Sequence, residues 1–150
     1  MKDLQPEEVY TIQEVSKRTG LSIPTLRYYE EIGLIPQAKR VESSRHRRYT
    51  EKQVDLLENL SSLRLSGLSL KEMEQYVGLR HQGASGARQQ QVLFAASLRK
   101  LEKQIQKLEL RRKYLHGKLA YWQAVEVSDK PQIEAIVESQ RKLSAKLRDL

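Results

Sequence analysis

The chain has 150 residues, 27 basic and 19 acidic side chains, a formal net charge of +8 and no cysteine. Its length fits one or two small domains. The lack of cysteine excludes disulfides, thiolate metal sites and cysteine nucleophiles. The longest apolar run, residues 92–96, is far shorter than the roughly 20 residues of a spanning helix, and residues 1–5 lack a signal-peptide core. We expect a cytoplasmic protein with no membrane segment, and its basicity favours polyanionic partners.

Basic residues are unevenly distributed along the chain. Residues 1–80 contain 13 basic and 12 acidic side chains, whereas residues 81–150 contain 14 and 7. Within the nearly neutral first half, five basic residues cluster around a single acidic residue, Glu42. This local excess of positive charge is a candidate anion site. The cluster consists of Lys39, Arg40, Arg45, Arg47 and Arg48.

Capping signals predict two short helices near the start of the chain. Thr11 and Glu14 have the spacing of a capping box, and Gly20 ends the first helix. Ser22 caps a second helix that ends near Gly33. The pair is a candidate helix-turn-helix, although short helical hairpins also occur as plain core elements.

The next segments alternate between loops and helices. The basic stretch 37–48 predicts an extended arm or hairpin. Thr50 caps a third helix that ends at Gly67, and Ser69 caps a fourth. We predict a linker over residues 80–87, because this stretch contains two glycines.

A heptad pattern dominates the predicted helix of residues 88–126. Apolar positions recur in alternating steps of four and three, which is typical of a coiled coil that needs a partner helix, most simply that of a second subunit. Arg112 interrupts the pattern and either fixes the register or, alternatively, binds an anion. The predicted dimerisation residues are Phe94, Leu98, Leu101, Ile105, Leu108, Arg112, Leu115 and Leu119.

The end of the chain predicts one more helix within residues 127–150, after a break at residues 128–131. Tyr114, Tyr121 and Trp122 cluster near the end of the long helix. Two interpretations are open: the rings pack on the last helix, or they line a pocket for a small organic effector.

Four motifs resemble the MerR family of transcription regulators. Arg27–Ile35 resembles the family's recognition-helix signature, and Tyr10–Val15 resembles its first helix. Arg47–Tyr49 is similar to the end of the wing, and Leu63–Leu70 to the joint between the third and fourth helices. The motifs occur in the family's order within residues 10–79.

The resemblance implies a mainly all-α fold. A tail (1–9) precedes a winged helix-turn-helix domain (10–79), followed by a long antiparallel coiled-coil dimerisation helix and a short C-terminal helix. It also implies a homodimer that binds a pseudo-palindromic promoter operator in double-stranded DNA. Such a dimer acts on RNA polymerase indirectly, by distorting the spacer DNA. No cofactor is implied.

The family roles carry over to individual positions. Arg27 and Tyr28 would contact the operator, unless Arg27 pairs with Glu30 or Glu31, whereas Tyr29 is expected to be buried. Thr11 and Ser22 would offer helix N-termini to phosphates, or serve only as caps. Ile23 and Pro24, expected to be exposed, suit thymine methyl groups, and Arg64 suits a phosphate. In the wing, Arg45 and His46 replace the family's usual Gly-Tyr before Arg47, so its shape is expected to differ. Arg45, His46 and Arg47 would bind DNA, Arg45 and His46 through phosphates, unless Arg45 belongs only to a solvated charged loop.

The effector end departs from the family's cysteine-dependent sensors. Without cysteine, thiol-based metal or redox sensing is excluded, and His46, His81 and His116 are too scattered to form a metal site within one chain. We therefore expect an unknown small-molecule effector that is neither a metal nor a thiol reagent. Alternatives are an effector-independent architectural DNA-bending protein and a coiled-coil adaptor for acidic protein or RNA. No catalytic motif is present, so an enzyme is not expected.

Overall fold

The computed structural model describes residues 9–40 and 47–149, which form a mainly helical chain with a small sheet. The chain divides into two compact units, Met1–Phe94 and Ala95–Leu150. No helix in the described part is long and apolar enough to cross a membrane. In chain order the elements are β1 (Val9–Thr11), α1 (Ile12–Thr19), α2 (Ile23–Glu31), β2 (Lys39–Arg40), β3 (Arg47–Thr50), α3 (Glu51–Leu65), α4 (Leu70–Leu79), α5 (Gly83–Glu126) and α6 (Lys130–Arg148).

The helix starts confirm the predicted caps. The side chains of Thr11, Thr50 and Ser69 each accept a hydrogen bond from the backbone N–H three residues on, within full capping boxes. Ser22 caps α2 by accepting from the N–H of Thr25. Gly20 follows α1 at φ 71°, a left-handed conformation that favours glycine. Local sequence thus determines where these helices begin.

An antiparallel sheet in the order β1-β3-β2 joins the start of the domain to the predicted arm. Thr11 pairs with Arg48, and Lys39 pairs with Arg48 from the other side. The arm prediction is confirmed for the two strands, whereas β1 was not predicted, because a strand of three residues carries too little pattern to recognise. The sheet fixes the base of the wing next to the N-terminus of α1.

One apolar core holds the N-terminal unit together, and α1 to α3 and β3 all contribute to it. Tyr29 belongs to this core, as predicted. Phe94 also packs against it, with its ring centroid 6.0 Å from that of Tyr76. Phe94 is therefore partly buried against the core of its own chain, and its predicted place in the dimer seam stays a prediction. The least exposed side chains are Tyr49, Leu26, Ile35, Leu57, Leu60, Val15 and Val54.

Arg18 connects α1 to α3 by charge. Its guanidinium donates to Glu51 at 2.6 and 3.1 Å and to Glu58 at 2.8 Å. It also lies 5.4 Å from the ring centroid of Tyr10. The hydrogen bonds from Arg18, and then one from Tyr10, hold the pKa of Glu51 below its ordinary value. This forked arrangement fixes α1 against α3.

The second unit is a helical hairpin. Asp129 caps α6 by accepting from the N–H of Gln132 at 3.1 Å, which confirms the predicted break.

The long helix α5 begins at Gly83, so the predicted linker over residues 80–87 is wrong for residues 83–87. Gly86 lies within the first turn of α5, where an added Cβ would overlap the carbonyl oxygen of Leu79. This glycine therefore permits a close approach of backbone and does not mark a linker.

The Arg18–Glu51 pair predicts a specific dependence of stability on pH. Because folding lowers the pKa of Glu51, its ion pair stabilises the fold at neutral pH, and this contribution is lost as pH falls through the folded pKa. Glu51→Gln should lower the free energy of unfolding at pH 7. The difference in free energy of unfolding between this variant and the native chain should become smaller below pH 4.5, the ordinary pKa of a glutamate. Urea unfolding from neutral to acidic pH measures both, with Glu74→Gln on the exposed face of α4 as control; a gap that widens on acidification would contradict this assignment.

Candidate nucleic-acid interface

The exposed face of α2 presents a small set of polar and aromatic side chains. Pro24, Arg27 and Tyr28 are exposed, in line with the sequence prediction, whereas Ile23 is half-buried and so is not the free apolar residue that was expected. Arg27 forms no ion pair with any residue that the structure describes. Its cationic head is thus available on the surface of the helix.

A buried carboxylate joins α2 to the wing. Glu30 is 7% exposed; it accepts a short hydrogen bond from the Tyr49 hydroxyl and a 3.0 Å bond from Arg47 Nε. Burial, and then the bond to Glu30, raises the pKa of the Tyr49 hydroxyl, which therefore stays a donor. The expected alternative for Arg27, pairing with Glu30, is wrong, because Arg47 occupies that place.

This pairing changes the interpretation of Arg47. The sequence predicts a DNA contact, but the Nε of Arg47 is bound to Glu30 and part of its charge is neutralised within the domain. Sequence reasoning missed Glu30 and Tyr49, since nothing in the local pattern shows that a glutamate of α2 meets a strand 17 to 19 residues later. The only available signal was a glutamate on the apolar side of the helix, next to Tyr29.

The turn between α1 and α2 forms the floor of a depression of about 600 Å³. Ser22, Thr25 and Arg64 line it, so two predicted contact residues, Ser22 and Arg64, are brought together although they are distant in sequence. The Ser61 hydroxyl donates to the Thr19 carbonyl at 2.7 Å and fixes this turn to α3. A cation, two hydroxyls and a helix N-terminus around one concavity suit a phosphate group.

The N-terminus of α1 is already occupied by a carboxylate. The Thr11 N–H and hydroxyl both donate to Glu14, at 2.7 and 2.8 Å, and these bonds hold the pKa of Glu14 below its ordinary value. Thr11 therefore acts as a cap in this structure, which is the second of its two predicted roles. Arg45 and His46 lie outside the described residues.

The predicted effector residues separate onto different sides of α5. Tyr114 and Tyr121 line a cleft against α6, whereas Trp122 does not line it and is 65% exposed. Trp122 contacts Tyr121 edge to face, with ring centroids 5.2 Å apart. No group of three His, Asp or Glu side chains within residues 9–40 and 47–149 could hold a metal ion.

Two helices joined by a short turn, with a small sheet behind them, define a winged helix-turn-helix protein. A profile of the MerR HTH family regulatory proteins matches residues 10–78. An uncharacterized HTH-type transcriptional regulator of Haemophilus influenzae is 31% identical over 114 residues, which cover 76% of this chain and 84% of the relative. The chain belongs to the MerR family, as the sequence motifs predicted.

Other relatives extend the comparison. The regulator AdhR of Bacillus subtilis is 40% identical over 72 residues, 48% of this chain and 51% of AdhR. The chain thus spans about half the length of several curated relatives. Among solved structures, HiNmlR, a MerR family regulator lacking the sensor domain and bound to promoter DNA, is 28% identical with a TM-score of 0.63. The similarity covers 86% of this chain and 96% of that one.

The buried hydrogen bond of Tyr49 can be tested by removing one atom. Tyr49→Phe leaves the Glu30 carboxylate buried with one donor fewer, which we expect to lower the free energy of unfolding by about 1–3 kcal/mol. Urea denaturation measures this loss. The matched control is Tyr28→Phe, whose exposed hydroxyl should change the free energy by less than about 0.5 kcal/mol. Equal effects of the two substitutions would show that the Glu30–Tyr49 bond contributes no net stability.

Proposed function

We propose that this protein is a DNA-binding transcription regulator that binds a promoter operator as a homodimer. The observation that carries the proposal is the shared surface of α2 and the α1–α2 turn. Arg27 and Tyr28 project from α2, and Ser22, Thr25 and Arg64 surround the adjoining depression. Support comes from a relative of similar fold, HiNmlR, which is described as bound to promoter DNA.

The two parts of this surface take different roles in the proposal. The exposed residues of α2 enter the major groove, where Arg27 reads base edges or the groove margin and Pro24 offers an apolar contact. The depression holds a backbone phosphate through Ser22 and Arg64, and this contact sets the register of the helix on the duplex. The sheet holds α2 in place because Arg47 and Tyr49 of β3 donate hydrogen bonds to Glu30 of α2.

Dimerisation follows from the apolar seam on α5. Six of the predicted seam residues, together with Trp122, which continues the heptad spacing seven residues after Leu115, are 45–66% exposed within one chain, although they are large and apolar. A regular row of such residues at heptad spacing matches a self-complementary helical interface. Arg112 is exposed within the row, where it would set the register. The seven are Leu98, Leu101, Ile105, Leu108, Leu115, Leu119 and Trp122.

The proposed action is distortion of the spacer DNA in response to a small-molecule effector, with RNA polymerase affected through DNA shape. In vitro transcription from the DNA upstream of the protein's own coding sequence tests this, with the spacer length varied and cell-extract metabolites added or omitted. Activation confined to a long spacer and to added extract is the expected result. DNA binding and bending with no effect on polymerase under any condition would overturn it in favour of an architectural DNA-bending protein.

The contact role of Arg27 predicts a selective loss of binding. Arg27→Ala should weaken operator affinity by about tenfold or more, in keeping with about 1–3 kcal/mol for a base contact. Fluorescence anisotropy at fixed salt measures the affinity. Arg80→Ala removes an equal charge at the exposed end of α4 and should change affinity by less than about threefold. If both variants bind equally well, Arg27 lies outside the interface.

The seam predicts a change of oligomeric state. Leu108→Asp places a charge in the centre of the apolar row and should convert dimers to monomers in sedimentation velocity, because an unpaired charge cannot be buried there. Gln106→Asp, two residues away and close to Lys103, Lys107 and Lys146, should leave the dimer intact. A dimer that persists in Leu108→Asp would show that the heptad row is not the interface.

A further inference from the structure

A second concavity lies within the helical hairpin, between α5 and α6. It has a volume of about 370 Å³, at the lower end of the range of small-molecule sites. Tyr114, Tyr121 and Val137 provide apolar walls, and Ser144 provides a hydroxyl at one side. The cleft thus combines apolar walls with a few polar groups, as ligand sites do.

Gln140 occupies the floor of this cleft and is only 9% exposed. Its Oε1 has no hydrogen-bond partner among the residues that the structure describes. A buried carbonyl oxygen without a donor is unfavourable, so such a group is usually satisfied by something that enters the site. The lining of the cleft therefore contains a buried acceptor that lacks a donor, and a ligand reaches it only when the amide turns toward the cleft.

Gly117 explains how the amide reaches this place. A Cβ added at Gly117 would overlap the side-chain amide of Gln140, so only glycine allows α6 to lie this close. Glycine inside a helix costs about 0.5–1 kcal/mol relative to alanine. The interior of α5 bears this cost at the one point where Gln140 packs.

The charges of the cleft are all positive. Lys118 and Arg141 line it, and no acidic side chain does among the described residues. Lys118 Nζ lies 5.5 Å from the ring centroid of Tyr114, which holds the ammonium group over the wall of the cleft. Two cations without a carboxylate favour an anionic ligand.

We propose that this cleft binds a small organic anion that also carries a hydroxyl group. The anionic group pairs with Lys118 and Arg141, the ring or chain of the ligand packs on the two tyrosines, and the hydroxyl donates to Gln140 Oε1. An aromatic hydroxycarboxylate meets all three requirements. Binding of the anion itself requires no DNA. Only a regulatory role of the bound anion rests on the proposed function.

Calorimetric titration of the full chain with 4-hydroxybenzoate, without DNA, tests the proposal. We expect saturable binding with one site per chain, and about tenfold weaker binding of benzoate, which lacks the donor, and of 4-hydroxybenzyl alcohol, which lacks the charge. Trp122 is the only tryptophan and contacts Tyr121, so its emission provides a second readout. No saturable binding of 4-hydroxybenzoate, or equal affinity for all three compounds, would overturn the proposal.

Two variants separate the roles of charge and hydrogen bond. Arg141→Gln should weaken 4-hydroxybenzoate binding by about tenfold, whereas Lys142→Gln, the same charge change at the neighbouring residue outside the cleft, should alter it by less than about twofold. Gln140→Met removes the acceptor at similar length and should reduce 4-hydroxybenzoate to the affinity of benzoate. Equal losses in Arg141→Gln and Lys142→Gln would indicate non-specific attraction and overturn the site.

Circular dichroism of each variant verifies folding, and the comparison of Arg141 with Lys142 remains decisive if Gln140→Met does not fold. Operator affinity is measured separately. If the chain binds the anion but no operator, the proposed anion site is supported and the proposed function is wrong. If the chain binds an operator but no anion, the proposed function is supported and the proposed anion site is wrong.

Discussion

The arrangement of the proposed DNA-binding surface depends on one buried carboxylate. Glu30 lies on the inner side of the helix that carries Arg27, and its charge is matched by Arg47 and Tyr49 of the wing strand. A buried charge of this kind is tolerated only when its partners are in place, so a rotation of α2 away from β3 would leave it unpaired. The helix and the wing are therefore held in one relative orientation by polar contacts as well as by the apolar core.

Polar contacts fix helices at two more places in the same unit. Arg18 joins α1 to α3 through a forked pair with Glu51 and Glu58, and Ser61 holds the α1–α2 turn by a bond to a backbone carbonyl. These contacts place the turn, and with it the depression around Arg64, at a defined position relative to α2. Shape and charge of the proposed interface thus follow from polar contacts at the edge of the core.

Two faces of α5 lie in different environments within the helical hairpin. The heptad row remains exposed within one chain, while another face packs on α6 around Gly117 and Gln140. Because Tyr121 lines the cleft and contacts Trp122 of the row, the two faces touch through one aromatic pair. A ligand in the cleft would act next to the proposed dimer seam without needing a separate domain.

Local signals in the sequence were sufficient for the capped starts of α1 to α4, the break before α6 and the heptad row. Caps and left-handed glycines act over three or four residues, and a helical period is visible in any window of two or three turns. The family motifs were likewise readable as ordered strings, and they led to the correct family. The same reasoning misplaced the linker, because Gly86 serves a close backbone approach inside a helix.

What only the tertiary structure decided are the pairings between distant residues. Arg47 is bound by Glu30 instead of projecting freely, Phe94 packs against the domain core, and Trp122 lies outside the cleft that Tyr114 and Tyr121 line. Each outcome depends on which side chains from other elements occupy the neighbouring space, and periodicity along the chain contains no such information. The sequence by itself therefore determined most of the helices and the family. The burial of Glu30, and with it the set of cations left free on the proposed interface, was decided by how those elements pack, because a buried charge must be paired where the fold places it.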